Sequence, residues 1–260
     1  MKNKKTVGLK LLIFLFVVMF MTAPALAKVV KVLDTTTGGG IGTSAAVNTY
    51  YNTQAGVTST LINGPFTAAT LTGVDLFVIN NPDTNFTATE IAAMSGFLGG
   101  GNRLMFIGEN SYFPTENNRI SGAIGSLGGS MSISNTIFDS GYHTATKGNG
   151  QILTHCLTTG VNSLEYAAPS GIGGVAGGER LFLSADLSQV WAGHELAGGG
   201  SIVLVSDSNI IRDLAVGNYD NDIFFNNMLT SCNVIPAPGA LLLGSIGMGL
   251  VGWLRKRRTF

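Results

Sequence analysis

The chain has 260 residues, 15 Lys and Arg against 15 Asp and Glu, 12% charged residues and 36 glycines. Charged residues are about half as frequent, and glycine about twice as frequent, as in average proteins. This composition excludes a disordered polyelectrolyte, a coiled coil, a basic nucleic-acid-binding protein and, with only 2 cysteines, a small disulfide scaffold.

Residues 1–27 have the pattern of a secretory signal peptide. A basic start is followed by an apolar run over residues 11–21, and Ala25 and Ala27 occupy the small-residue positions of a cleavage site. The pattern predicts export through the translocon and cleavage after Ala27. An uncleaved membrane anchor is the alternative.

The first half of the following segment alternates apolar strands with helices. In chain order, the predicted elements are the strand Val29–Leu33, the helix Ser44–Thr53, the strands Val57–Ile62 and Val74–Ile79, a helix from Thr87 to about Leu98, and the strand Arg103–Ile107. The helix after Thr87 begins with a capping box, in which Glu90 is the second member. Strand, helix and strand at this spacing form a βαβ unit, so we expect an α/β domain with a mostly parallel sheet flanked by helices.

The second half is less regular. The predicted elements are a Gly-interrupted helix over 115–127, loops or short antiparallel pieces over 129–150, short strands at Leu181–Leu183 and Val190–Trp191, a core strand within 199–206, and a closing helix over Asp220–Leu229. Together the two halves predict one exported domain over residues 28–232.

Residues 233–260 form a distinct tail. Pro236 and Pro238 precede an uncharged apolar segment, 239–254, and four basic residues follow it, namely Arg255, Lys256, Arg257 and Arg258. As a helix, the segment would be roughly 24 Å long, slightly shorter than a hydrocarbon core of about 30 Å. The positive-inside tendency keeps the basic cluster cytoplasmic. The pattern predicts a transmembrane anchor, with the domain on the far side of the inner membrane.

This arrangement of tail features resembles the PEP-CTERM sorting signal of exported bacterial proteins. Pro236 and Pro238 match the two prolines of that motif, although Ala237 stands where glutamate is usual, and 255–258 match the basic stop. The resemblance implies recognition by an exosortase, a membrane protease thought to cleave near the Pro-x-Pro motif. A protein processed in this way reaches the cell surface or the extracellular matrix.

Residues 71–110 and 199–230 resemble the non-enzymatic branches of the class I glutamine amidotransferase-like, flavodoxin-like fold. In the enzymes of that family, a nucleophilic cysteine would follow the strand at 103–108. This chain has Glu109, Asn110 and Ser111 there. The resemblance therefore implies the fold without the amidotransferase chemistry, and we expect no cofactor.

Polar side chains follow most of the predicted strands, and the carboxyl ends of parallel strands are where α/β sheets bind ligands. The candidate ligand residues are Asp34, Asn80, Glu109, Asn110, Asp207 and Asn209. They could coordinate a hard cation or hydrogen-bond sugar hydroxyls. Alternatively, they cap turns and helices through their own backbone.

The histidines and cysteines give two further expectations. His143, His155 and His194 lack zinc-type spacing, so no metal site is predicted. Cys156 and Cys232, the only cysteines, are predicted to pair in an oxidising compartment, closing a loop of about 75 residues that stabilises the fold by about 3–4 kcal/mol. Two buried free thiols are the alternative.

Taken together, the sequence predicts an exported bacterial surface or extracellular-matrix protein with a non-enzymatic binding or structural role. It would be tethered to the inner membrane by its C-terminal helix and then processed, and it would bind surface polysaccharide or another surface protein, not nucleic acid. The alternative from another class is a secreted hydrolase or transferase that acts on surface glycans through the strand-end acids.

Overall fold

A computed structural model describes residues 27–34, 42–176, 179–214, 217–230 and 232. Its strands are β1 Lys28–Leu33, β2 Val57–Ile62, β3 Leu76–Asn80, β4 Arg103–Ile107, β5 Ser132–Ile133, β6 Tyr142–Thr146, β7 Ser163–Ala167, β8 Ile172–Gly173, β9 Arg180–Leu183, β10 Val190–Ala197 and β11 Gly200–Val205. Its α-helices are α1 Ser44–Thr53, α2 Ala88–Gly99, α3 Pro114–Ser126 and α4 Asn221–Asn227, and two 3₁₀ helices cover Cys156–Thr158 and Ser208–Leu214.

The central sheet has seven strands in the order β2-β1-β3-β4-β11-β10-β9. The first five of these strands run parallel, and β10 is antiparallel to both of its neighbours. Two small antiparallel sheets, β5 with β8 and β6 with β7, lie beside it. The predicted α/β class with a mostly parallel, helix-flanked sheet is confirmed.

Each face of the sheet carries its own hydrophobic core. Along β4, Leu104 and Phe106 enter one core with α2 and α3, whereas Met105 and Ile107 enter the other with α1 and α4. Side chains alternate between the faces of a strand, so a strand buried on both faces is mostly apolar. All five residues of β4 are buried, and its one charged residue, Arg103, donates to the Ser201 hydroxyl and to the Met228 carbonyl.

The predictions for the first half are accurate to within two residues. Thr87 caps α2, and its side chain and that of Glu90 form the reciprocal bonds of the predicted capping box. In the second half, the strand predicted at Val190–Trp191 was too short, because β10 extends for 8 residues to Ala197. The strands β7 and β8 were not predicted at all. Ser163–Ala167 contains Ser and Glu and has no continuous apolar run, so its strand depends on pairing with β6.

The predicted processing segments lie outside the described residues, apart from Ala27. This applies to residues 1–26, to the prolines 236 and 238, to the candidate span 239–254 and to the basic cluster 255–258. Within the described ranges, none of the helices is long and apolar enough to cross a membrane.

Candidate functional site

The carboxyl ends of four parallel strands meet at one edge of the sheet, as the sequence predicted. Leu33 of β1 pairs with Ile79 of β3, Asn80 pairs with Ile107 of β4, and Ile107 pairs with Val205 of β11. The residues that follow these positions therefore lie along the same edge. We call Asp34, Asn80, Glu109, Asn110, Asp207 and Asn209 the strand-end group.

Asp207, two residues beyond β11, is fully buried and links the central sheet to the small β6–β7 sheet. Its Oδ2 accepts the amide of Ala167 at 2.6 Å, and its Oδ1 accepts the amide and the side-chain Nδ2 of Asn209 at 2.9 and 2.8 Å. Asn209 Nδ2 also donates to the Ala167 carbonyl at 3.3 Å. Both carboxylate oxygens of Asp207 are thus occupied by groups of the protein itself.

Glu109, two residues beyond β4, is engaged in the same way and is only 1% exposed. Its Oε1 accepts the amide and Nδ2 of Asn110, each at 3.0 Å, and its Oε2 accepts the hydroxyl of Ser208. Asn117 of α3, which sequence reasoning did not single out, fixes the Glu109 backbone: its Oδ1 accepts the Glu109 amide at 2.9 Å, and its Nδ2 donates to the Glu109 carbonyl at 2.7 Å. Glu109 therefore bridges the turn after β4 and the turn after β11.

The remaining members of the group lie on the neighbouring strands. Asn80, fully buried at the end of β3, donates from Nδ2 to the carbonyl of Gly42 at 3.0 Å. Asp34 directly follows β1, and its amide donates to the Ile62 carbonyl of β2 at 2.8 Å. Because β3 lies between β1 and β4, Asp34 is the outermost member.

Burial dominates the electrostatics of the two acids. It raises the pKa of Asp207 to about 7, and the neighbouring Glu109 carboxylate adds to the rise. Burial also raises the pKa of Glu109, against the opposing effect of the hydrogen bond from Ser208. Two carboxylates this close in an apolar setting favour the protonated state. The contacts of both acids combine local capping, to Asn110 and Asn209, with links across the fold, to Ala167 and Ser208.

A second polar cluster was not predicted from the sequence. His155 precedes one 3₁₀ helix, Glu179 precedes β9, and His194 lies on β10; potential ligand atoms of the three side chains lie within 4.8 Å of one another. The two imidazole centroids are 4.9 Å apart. The spacing of the histidines in the sequence did not predict this convergence. The three residues belong to separate elements, which come together only in the tertiary structure. We call them the His-Glu-His cluster.

Within the cluster, Glu179 Oε2 contacts Nδ1 of His194 at hydrogen-bond distance and lies 3.7 Å from Nε2 of His155. His194 is 4% exposed, and its Nε2 is buried without a hydrogen-bond partner. Burial, reinforced by His194, lowers the pKa of His155. The imidazole of His155 is therefore neutral over a wider pH range than a free histidine.

The disulfide lies next to this cluster. Cys156, adjacent to His155, is bonded to Cys232, with their Cα atoms 5.7 Å apart. The amide of Leu157 donates to Nδ1 of His155 at 3.1 Å, which caps the 3₁₀ helix that begins at Cys156. The disulfide thereby attaches the turn that contains His155 to Cys232, near the C-terminal end of the domain.

A groove of about 250 Å³ lies between the start of α2 and the body of α3. Phe86 and Ile91 supply apolar surface, and Asn85, Asn118 and Arg119 supply polar groups. Arg119 is held by a hydrogen bond from Nη1 to the Pro82 carbonyl at 2.9 Å. The groove lies apart from the His-Glu-His cluster, on the opposite face of the sheet.

No protein-family model matches the chain, and no curated protein sequence matches it. Among solved structures, the N-terminal domain of mmIFT52 is similar, with a TM-score of 0.58, 13% identity, and coverage of 78% of this chain and 98% of that chain. A cytoplasmic protein from Salmonella typhimurium LT2 has a TM-score of 0.51 at 9% identity, covering 78% and 98% of the two chains.

A GMP synthase-like protein from Thermoplasma acidophilum also has a TM-score of 0.51, at 13% identity, and the match covers 79% of this chain and 94% of that chain. At such identities the likeness establishes the fold alone. It supports the amidotransferase-like architecture predicted from residues 71–110 and 199–230. The described domain is therefore an α/β domain with a mostly parallel, helix-flanked sheet, similar in fold to these three structures and with Glu109, Asn110 and Ser111 after β4.

Proposed function

We propose that the chain is an exported bacterial surface or extracellular-matrix protein whose domain binds or supports other molecules without catalysing a reaction. The non-enzymatic role is supported by one observation, namely that the carboxylate oxygens of Glu109 and Asp207 in the strand-end group already accept hydrogen bonds from the protein itself. Glu109 and Asp207 accept five hydrogen bonds from Ala167, Asn110 and Asn209, and a sixth from Ser208. A general acid or nucleophile needs a free, reachable oxygen, so these contacts favour a structural role.

The proposed localisation is inferred from the sequence patterns at the two ends of the chain. The signal-peptide pattern of 1–27 directs the domain out of the cytoplasm, and the PEP-CTERM-like tail, with Pro236, Pro238, the span 239–254 and the basic stop, directs it to an exosortase-type protease. A disulfide between Cys156 and Cys232 is what an oxidising compartment permits. The proposed route is export, transient anchoring in the inner membrane, and release to the surface.

The test is the intact mass, without reduction, of the native protein from inner-membrane, cell-surface and medium fractions. We expect a surface or medium species that begins at Lys28 and ends near the Pro-x-Pro motif, and a P236A/P238A variant that stays in the inner membrane with its tail intact. A protein found only in the inner membrane with all residues through Phe260 would contradict the sorting route.

The binding role is proposed for surface polysaccharide, with the groove between α2 and α3 as the first place to look. An apolar floor from Phe86 and Ile91 with amide groups from Asn85 and Asn118 suits the mixed surface of a sugar. We expect N118A to weaken retention on the producing cell's own polysaccharide, whereas N149A, in the exposed turn after β6, should leave it unchanged. Equal retention of both variants would remove the groove from the proposal.

A hydrolase or transferase that uses the strand-end acids would behave differently. Replacing Glu109 by Gln should then abolish turnover of a glycan or ester substrate while the protein still reaches the surface. Under our proposal the purified protein has no such turnover to lose, and E109Q changes only stability.

A further inference from the structure

The His-Glu-His cluster has the composition of a transition-metal site. Two imidazole nitrogens and one carboxylate oxygen are a ligand set that zinc accepts, with a fourth position left for water. Nitrogen ligands favour zinc and its neighbours over magnesium or calcium, which prefer oxygen. From this convergence we propose that His155, Glu179 and His194 bind a divalent transition-metal ion, with Zn²⁺ as the best-suited ion. The inference is independent of the proposed surface function.

The spacing of the ligand atoms fits an ion placed between them. Zinc bonds of about 2.0–2.2 Å in tetrahedral geometry set neighbouring ligand atoms about 3.3 Å apart. The potential ligand atoms of the cluster already lie within 4.8 Å of one another. Small side-chain rotations therefore suffice, and no backbone segment has to move.

Hydrogen bonding within the cluster does not account for all of its polar atoms. The 3.7 Å between Nε2 of His155 and Oε2 of Glu179 is too long for a hydrogen bond. Nε2 of His194 is buried and has no partner. Glu109 and Asp207 at the strand ends, by contrast, accept hydrogen bonds at both carboxylate oxygens. An ion bound between Nε2 of His155, Oε2 of Glu179 and Nδ1 of His194, the nitrogen that faces Glu179, would give both imidazoles a common partner.

The site is rigid on two sides and accessible on the third. His194 is fixed on β10 within the sheet, and the turn of His155 is fixed by the Cys156–Cys232 bridge. The side chain of Glu179 is 34% exposed, against 5% for His194. An ion can therefore enter past Glu179 and meet nitrogen ligands that are already in place.

Metal binding has a local consequence that serves as a signature. Nδ1 of His155 accepts the Leu157 amide, which requires the ring hydrogen to be on Nε2. Coordination through Nε2 moves that hydrogen to Nδ1, so the Leu157 amide loses its acceptor. The Leu157 amide should thus exchange with solvent faster when the metal is bound, although the domain as a whole becomes more resistant to unfolding.

The test is calorimetric titration of the full-length chain, purified in detergent without an affinity tag and stripped with a chelator, with Zn²⁺ alone. We expect one ion per chain and at least a roughly 100-fold loss of affinity in E179Q and in H155Q, both at partly exposed positions that tolerate polar replacement. H143Q is the matched control, because His143 stacks on Tyr166 outside the cluster, at a centroid distance of 5.6 Å, and should bind normally.

Circular dichroism and the unreduced mass establish that each variant is folded with its disulfide. Visible absorption of the Co²⁺ form is the second readout, because its intensity reports an ion bound in low-coordinate geometry, and it should be lost in E179Q, which lacks the carboxylate ligand. The proposal is overturned if the wild-type chain shows no saturable Zn²⁺ binding, or if folded E179Q and H155Q bind as tightly as H143Q. Either outcome would make the cluster a purely structural contact.

Discussion

Two polar regions of this domain look alike in composition and differ in what their side chains do. In the strand-end group, both oxygens of Asp207 and of Glu109 accept hydrogen bonds, some from near neighbours in sequence and some from Ala167 and Ser208 across the fold. In the His-Glu-His cluster, the three residues come from separate elements, and one buried nitrogen has no partner. The carboxylates of Asp207 and Glu109 are thus satisfied by the protein itself, whereas the His-Glu-His cluster contains a buried nitrogen without a hydrogen-bond partner.

The difference extends to how each region is held. The strand-end group lies at the carboxyl ends of the inner strands β1, β3, β4 and β11, where Gly42 closely approaches the Ser208 carbonyl. The His-Glu-His cluster lies at the β10–β9 side and depends on a covalent link, Cys156–Cys232. Four changes to the chain test this contrast, beginning with the largest expected effect.

Removing the disulfide should have the largest effect, centred on the His-Glu-His cluster. With a sequence separation of 76 residues, the double variant C156S/C232S should lose about 4 kcal/mol in the free energy of unfolding, because the unfolded chain regains the entropy of the open loop. Urea unfolding measures the loss, and wild-type protein treated with a reductant should reproduce it. Equal stability of the oxidised wild type and the double variant would show that the bridge does not stabilise the fold.

Changing Asp207 tests the strand-end group through pH. A carboxyl whose pKa is raised to about 7 holds its proton more tightly in the folded state, so its contribution to stability is full below its ordinary pKa and is lost as pH rises to 7. Over that interval the wild type should lose about 3–4 kcal/mol relative to D207N, which carries no titrating group there. Urea unfolding at pH 4, 5.5, 7 and 8 gives, for the wild type and for D207N, the slope of the free energy of unfolding against pH.

The control for this experiment is D222N, a change of carboxylate in the first turn of α4. It should keep the slope of the wild type. If D207N also keeps that slope, then Asp207 is ionised in the folded state, and the strand ends are more open to water than their contacts imply.

Replacing Gly42 by Ala tests the close packing beside the strand-end group. A Cβ there would lie 2.1 Å from the Ser208 carbonyl oxygen and 2.7 Å from Cβ of Ile211, so backbone must shift, at a cost of about 1–3 kcal/mol. The matched control is G122A on α3, where no atom lies within 4 Å and alanine should stabilise the helix by about 0.5–1 kcal/mol. Thermal unfolding compares them, and a neutral G42A would show unoccupied space at this edge.

Removing a helix cap should have the smallest effect and tests the local contacts that the sequence predicted. T87A loses the side-chain acceptor for the Glu90 amide, seen at 3.3 Å, and should cost about 1 kcal/mol. T89A, in the same turn of the helix and exposed, should change stability by less than about 0.5 kcal/mol. Loss of equal size in both variants would contradict a specific capping role.

These local contacts explain which parts of the fold could be predicted. The strands β1 to β4 and the helices between them follow from apolar runs and from the Thr87–Glu90 box, which act over a few residues. The second half could not be predicted in the same way, because β7 and most of β10 have mixed sequences and are strands through their pairing with β6, β9 and β11. Sheet order and the two small sheets depend on pairing between strands that lie further apart in the chain.

The two candidate sites also differ in how far they could be predicted from the sequence. The alignment of Asn80, Glu109 and Asp207 at one edge could be predicted, since parallel strands end together, but the partners of their side chains could not, because Ala167 and Ser208 reach them only through tertiary structure. The His-Glu-His cluster left no signal in the sequence beyond three histidines, and no spacing rule connects His155 with His194 across Glu179.

The most direct test of this contrast is an amide-resolved NMR titration of the full-length chain with Zn²⁺, followed by Mg²⁺. We predict that Zn²⁺ shifts the amides of Leu157, Glu179 and His194 and leaves those of Ala167 and Asn209 in place, and that Mg²⁺ shifts neither set. Shifts centred on Ala167 and Asn209 with either ion, and none at Leu157, would contradict the account, because the strand ends would then be the ligand site and the His-Glu-His cluster the structural one.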